Sequence, residues 1–257
     1  MRTIPILLYH SISDDLQPKI APWTVSPRDF QDHVAAMVDS GRTPLRISDL
    51  AAALRGERAL PEQPMAVTFD DGYGDTIEAV QRLAGAGIPA TVYVTTGTLG
   101  ERGMVSVQSL FDLCHLGDAV EVGAHSVSHR RLDELDGAEL VEETAGSRVR
   151  IEEVTQRACT SFAYPHGNHD AASIAAVRAA GYSSAVAVRN ALSHEHDNVF
   201  ALARVTMERG TTAATVCEVL AGRFKIAAPT EPLRTRGYRQ VRRLRRRLRR
   251  PEQPASR

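Results

Sequence analysis

Thr68-Phe69-Asp70-Asp71-Gly72 follows the apolar run Met65-Ala66-Val67, and the reading of this stretch decides the fold. The run has the length and composition of a short buried strand, and Gly72 and Gly74 supply the turn that leaves it. Two adjacent carboxylates at the exposed end of a buried strand repel each other, and a bound cation is one way to offset that cost. The alternative is a polar strand-to-loop boundary whose aspartates cap the next helix. A second strand-like run, Ala119-Val120-Glu121-Val122-Gly123-Ala124, leads into His125-Ser126-Val127-Ser128-His129. Histidines four apart can project from one face of a helical turn and meet one ion, although a pair alone can equally be hydrogen-bonded surface residues. With Asp71 they make two neutral nitrogens and one carboxylate with positions left for water, which is how a catalytic zinc site is composed. One acid then binds the ion, and its neighbour stays free as a base for metal-bound water.

Outward from these two stretches, strand-like runs alternate with helical spacing. The strands are expected at 4–9, 65–69, 90–94, 119–123, 160–163, 183–188 and 201–206, and the helices at 27–40, 75–86, 137–155, 171–180 and 211–221. Such alternation predicts an α/β fold with a parallel sheet and helices outside it. At 257 residues the chain can bury a sizeable core as one enzyme-sized domain. The site residues fall at the C-terminal ends of the strands, where barrel active sites lie. Periodicity does not separate a barrel from an open doubly wound sheet.

The two motifs, in this order, resemble those of the polysaccharide deacetylases, the NodB-homology group (carbohydrate esterase family 4). The likeness continues at Ile88-Pro89-Ala90-Thr91-Val92-Tyr93-Val94 and at Phe162-Ala163-Tyr164-Pro165-His166-Gly167, and the opening Pro5-Ile6-Leu7-Leu8-Tyr9-His10 is similar to the first strand of one subgroup. It spans roughly residues 4 to 210. The resemblance implies an irregular (β/α)7-type barrel. It also implies Asp70 as catalytic base and Asp71, His125 and His129 as metal ligands. Metal-bound water would lose its proton to Asp70 and attack an N-acetyl carbonyl, with the oxyanion stabilised by the metal and a backbone N–H near Pro165-His166. Leu192-Ser193-His194 resembles the family's Leu-x-His motif, which assigns His194 to protonate the departing amine. His196 stands two residues away as an alternative, and both can equally be solvated loop histidines. Tyr164, Pro165 and His166 would line the substrate and oxyanion pocket. His10, at the end of the first strand, is read as pocket-lining only.

Three departures from the family pattern bear on mechanism and substrate. Ala163 stands where the family carries an arginine that holds the base carboxylate, and His166 stands where it carries a tyrosine. Arg204 could supply the guanidinium from another strand, with Arg189 as a second candidate. No counterpart of the family's aspartate-plus-tryptophan motif is found, and Trp23, the only tryptophan, lies far upstream.

Composition bears on location and partners. Cys114, Cys159 and Cys217 are odd in number and irregularly spaced, which predicts reduced, buried thiols. The first strand begins almost at Met1, leaving no room for a signal peptide, and no apolar run approaches the ~20 residues that span a bilayer. The expectation is a cytoplasmic protein. Formal charge is zero overall, but residues 231–257 hold 11 arginines and two glutamates, leaving 20 basic against 29 acidic residues elsewhere. Tyr238, Val241, Leu244 and Leu248 recur among those arginines at helical spacing. The domain reading is therefore a catalytic domain over 1–227, then a linker and an Arg-rich amphipathic or disordered tail over 228–257. Peripheral contact of that tail with the anionic inner leaflet is expected, and no specific nucleic acid.

The resulting expectation is a metal-dependent N-deacetylase of an N-acetylated sugar, extending to a lipid-linked or nucleotide-linked precursor. Zinc is the default ion, and manganese, cobalt or nickel fit the same ligands. The alternatives are a metal-dependent amidase of a non-glycan small molecule and a noncatalytic carbohydrate-binding relative.

Overall fold

Seven short strands wind into a closed parallel barrel. In this computed structural model, which describes residues 2–224, they are β1 (Ile6–Tyr9), β2 (Pro64–Phe69), β3 (Ala90–Val94), β4 (Val120–Ala124), β5 (Ser161–Ala163), β6 (Ser184–Val188) and β7 (Leu202–Thr206). Each pairs in parallel with the next, and β7 pairs back onto β1 through Val205–Leu7 and Thr206–Leu8. That last pairing rules out the open sheet that periodicity left as an alternative. The thinnest seam is β4–β5, joined by the single pair Ala124–Phe162. The strands are almost wholly buried, as both faces of a parallel sheet must be, which is why they read as continuous apolar runs.

Eight α-helices accompany them among the described residues: α1 (Pro27–Asp39), α2 (Ile47–Leu54), α3 (Thr76–Gly85), α4 (Val107–Cys114), α5 (Gly137–Val141), α6 (Ser147–Thr155), α7 (Ala171–Ala179) and α8 (Ala213–Leu220). Their starts follow ordinary capping chemistry. Ser26 accepts from the Asp29 N–H before Pro27 opens α1, and reciprocal capping boxes start α5 (Asp136, Glu139) and α7 (Asp170, Ser173). Outward strand residues such as Leu7, Val67, Val92 and Phe162 join the helices in the main core, and inward ones such as Ile6, Ala66, Tyr93, Val186 and Leu202 form a second cluster with Ile47 and Leu50 of α2. The α2 N-terminus is held by the barrel: Ile47 N–H donates to Thr91 Oγ1 at 3.0 Å and Ser48 N–H to Glu121 Oε2 at 3.0 Å.

The strand and helix expectations hold to within a residue or two, with three differences. The run at 4–9 breaks at Pro5, which has no N–H to donate, so Thr3–Ile4 instead pairs antiparallel with Ser193–His194. Helices α2 and α4 are additional to the alternation read from the sequence. The helix expected at 137–155 is interrupted by a π-helical turn, Glu142–Gly146. Cys114 and Cys159 are buried free thiols, as expected, whereas Cys217 is exposed on α8. No described helix is long and apolar enough to cross a membrane. The Arg-rich helix expected beyond residue 231 lies outside the described residues.

Candidate active site

A cavity of about 760 Å³ opens at the C-terminal ends of the strands and is lined by His10, Asp70, Asp71, His125, His129 and His166 among others. The two acids leave β2 in opposite roles because the chain turns sharply between them. Asp70 continues the strand, its N–H donating to the Tyr9 carbonyl at 3.0 Å, whereas Asp71 adopts φ 71° and swings its carboxylate toward the histidines. Ser126, His129 and His166 also have positive φ, at 65°, 56° and 58°. Left-handed geometry in side-chain-bearing residues costs of order 1–3 kcal/mol each, and its concentration around one cavity marks where the fold stores strain.

The metal-ligand expectation can be tested on the donor atoms. His125 Nδ1 lies 2.8 Å from the Ala163 carbonyl, which can only accept, so in the neutral ring Nδ1 carries the proton and Nε2 presents its lone pair. That Nε2 lies 3.4 Å from Asp71 Oδ1, and His129 Nε2 lies 3.2 Å from the same oxygen. Asp71 Oδ1 is buried and has no hydrogen-bond partner among the described residues. Three ligand atoms thus converge within 4.8 Å of one another. A divalent cation fits this set, which supplies two imidazole nitrogens and one carboxylate oxygen. Burial opposes ionisation of Asp71, but the two imidazoles outweigh it and hold its carboxyl well below the usual carboxylate range.

Behind the pair lies Arg204 of β7. Its Nη1 and Nη2 donate to Asp70 Oδ1 and Oδ2, both at 2.7 Å, a bidentate pair with Arg204 at 0% and Asp70 at 2% side-chain exposure. Thr68 Oγ1 and the Ala187 carbonyl take further guanidinium N–H bonds at 3.2 and 3.3 Å. Burial alone would raise the Asp70 pKa, but Arg204, His125 and His10 together hold it below the ordinary value. The side chain absent at Ala163 is therefore matched by a guanidinium from two strands further round the barrel.

The histidine loop is fixed by a residue the sequence reading passed over. Glu143, inside the π-helical turn and buried, accepts the Val127 and Ser128 N–H groups at 2.9 Å each on Oε2, and the Ser128 hydroxyl on Oε1. The only available signal is that an acid occupies the otherwise buried stripe Leu140, Thr144, Ser147, Ile151. From the other side, Gly97 N–H donates to the Val127 carbonyl at 2.8 Å, and a Cβ on Gly97 would meet that oxygen at 2.5 Å.

Several expected residues lie elsewhere. His194 pairs with Thr3, before β1, and so sits toward the N-terminal end of the barrel, away from the cavity. The loop after β6 has to return to that end to begin β7, and it carries residues 193 and 194 with it. Its alternative, His196, is 79% exposed near Glu195. Tyr164 is fully buried and donates its hydroxyl to the Phe200 carbonyl at 3.1 Å, and Pro165 is buried beside it; neither lines the cavity. Arg189 meets His169 rather than Asp70. His10 does line the cavity. Its Nδ1 is buried without a hydrogen-bond partner among the described residues; burial pushes its pKa below the ordinary value, and Asp70 and Asp71 offset that only in part. His166 packs edge-on against the His129 ring at 4.5 Å, and burial, with His129 and Arg131 adding to it, pushes it down to about 4.

The polysaccharide deacetylase family model matches residues 57–185, a span that contains Asp70, Asp71, His125, His129 and His166. YxkH of Bacillus subtilis (strain 168), designated a polysaccharide deacetylase, is 24% identical over 212 residues, 82% of this chain and 74% of its own. Among solved structures, the deacetylase PplD of Streptococcus pyogenes, in complex with acetate, superposes with a TM-score of 0.77 at 20% identity, covering 85% of this chain and 98% of that one. BC0361, a polysaccharide deacetylase from Bacillus cereus, superposes with a TM-score of 0.75 at 23% identity, covering 85% and 69%. These structural likenesses speak for the shared barrel. The family model reaches across half of the chain and takes in both motifs around the cavity, and the chain therefore belongs to the polysaccharide deacetylase family, hydrolases of a non-peptide carbon–nitrogen bond.

Proposed function

We propose that this protein is a metal-dependent N-deacetylase that hydrolyses the acetamide of an N-acetylated sugar. The observation that carries this reading is the pairing, in one cavity, of an ionised Asp70 clamped by Arg204 with the converging atoms of Asp71, His125 and His129. A divalent ion on those three ligands, zinc by donor type with manganese, cobalt or nickel also compatible, would act as a Lewis acid toward the acetamide carbonyl and lower the pKa of water. Asp70 takes the proton of the attacking water, and Arg204 keeps that carboxylate charged and oriented for the transfer. The turn at Pro165-His166 lies beside His129 and is the assigned source of the backbone N–H that meets the oxyanion. His10 replaces His194 as the group that protonates the departing amine. It reaches the cavity from β1, the strand next to that of Asp70, with a ring nitrogen left free. The products are acetate and the free amine.

The test is metal content and acetate release measured on the same preparations. The wild type should hold about one equivalent of divalent metal and release acetate from an N-acetylated saccharide. Asp70→Asn should keep the metal and lose acetate release, and His125→Ala should lose both. Metal-free wild-type protein that still releases acetate would overturn the reading. The finer expectation, a lipid-linked or nucleotide-linked sugar met at an anionic membrane, rests on the 11 arginines of residues 231–257. Unchanged sedimentation with anionic vesicles after deleting those residues would remove it.

A further inference from the structure

Outside the ligand set, Trp23 also faces the cavity. It is the only tryptophan in 257 residues, and it is 41% exposed whereas seven of the eleven other aromatics among the described residues are buried. It lines the same cavity as Asp70 and Asp71, and its ring centroid lies 6.1 Å from that of His10 at an interplanar angle of 41°. The segment that carries it is tied down on every side. Trp23 N–H donates to the Ile20 carbonyl at 2.8 Å, Arg209 N–H donates to the Pro22 carbonyl at 2.8 Å, and Thr24–Val25 pairs with Ser11–Ile12 directly after β1. A rigidly presented indole that is not consumed by the core is available for a ligand.

We propose that Trp23 is a stacking platform for a pyranose ring, and that the ring it holds belongs to the sugar unit next to the one being deacetylated. This rests on the deacetylase reading for the place of the reacting acetamide. One face of a pyranose presents C–H bonds with partial positive charge, which meet the negative face of an indole, while its hydroxyl groups stay in water. The indole neighbours His10 and shares its cavity with Asp70 and Asp71. A cavity of about 760 Å³ has room for more than one sugar ring. The substrate class is therefore a saccharide of at least two units rather than a free monosaccharide.

Because Trp23 is the sole tryptophan, its fluorescence reports this contact directly. Asp70→Asn protein, loaded with zinc so that turnover does not intervene, is titrated with N-acetylglucosamine and N-acetylgalactosamine and with their β-linked dimers and trimers. A saturable shift in emission with a dimer or trimer, and a much weaker one with the monomers, is the expected result. On the otherwise wild-type enzyme, Trp23→Ala should raise KM for the active oligosaccharide about tenfold with kcat within about twofold, and Trp23→Phe should recover most of the loss. The exposure of the ring leaves the fold intact in both variants, which far-ultraviolet circular dichroism checks. No emission change with any saccharide, or an unchanged KM in Trp23→Ala, overturns the platform. An emission change without acetate release from wild type leaves the platform standing and overturns the deacetylase reading.

Discussion

Removing the guanidinium beneath Asp70 gives the sharpest test of how this site is built. Arg204→Met preserves length and apolar volume but leaves a carboxylate at 2% exposure with both oxygens stripped of their 2.7 Å donors. Breaking one side of a buried pair costs about 3–5 kcal/mol, because the surviving charge is left uncompensated. For a domain of this size that corresponds to a fall in Tm of about 10 °C or more. The pH dependence has a definite sign. In the wild type the folded pKa of Asp70 lies below the ordinary value, so its contribution is present above the unfolded carboxylate pKa and is lost as pH falls through the folded value. In Arg204→Met the opposing effect of burial dominates, the folded pKa rises, and the penalty is relieved once Asp70 protonates. The gap between wild type and variant should therefore be widest near neutrality and should narrow on acidification. The assay is urea unfolding of both proteins, kept metal-free with a chelator so that ligand protonation does not confuse the comparison. Asp70→Asn combined with Arg204→Met should recover at least about 2 kcal/mol relative to Arg204→Met alone, since no buried charge remains. A single variant within about 1 kcal/mol of wild type at neutral pH, or a double variant no more stable than it, would refute the reasoning.

Glu143→Gln keeps the shape of the loop anchor but weakens its hold on the Val127 and Ser128 N–H groups. Zinc affinity, read by competition with a chromophoric chelator, should fall about tenfold or more, and an unchanged Kd would make Glu143 a packing residue only. His10→Ala should lower kcat by about 10²–10⁴ while leaving the metal content of the protein intact. His194→Ala should leave acetate release at the wild-type level, and a comparable loss in both variants would restore His194 to the mechanism.

How far the site was legible depended on how local each piece of chemistry is. Asp70-Asp71 and His125…His129 are each contained within a few residues at the end of a strand, so residue type and spacing were enough to single them out. Arg204 could be named only as a candidate, because nothing in Leu202-Ala203-Arg204 says that the ring closes and brings β7 within reach of β2's end. His194 was misplaced by a three-residue resemblance, since the same loop can hold a histidine near the cavity or return it to the other end of the barrel. Glu143 had almost no signature: it binds mainly backbone N–H groups, and its one mark is an acid at helical spacing in the buried stripe of Leu140, Thr144 and Ser147. Trp23 was set aside for its distance along the chain, which the pairing of Thr24–Val25 with Ser11–Ile12 makes irrelevant.

By itself the sequence determined the parallel α/β alternation and the four polar side chains at strand ends, because burial periodicity and donor type are written in short windows. With the family resemblance added, it also specified the barrel class. Only the tertiary structure decided which arginine clamps Asp70, which histidine faces the cavity beside it, and what braces the histidine loop. Those are contacts between residues 15 to 134 positions apart, and they exist only once the barrel closes and the loops at one end of it meet.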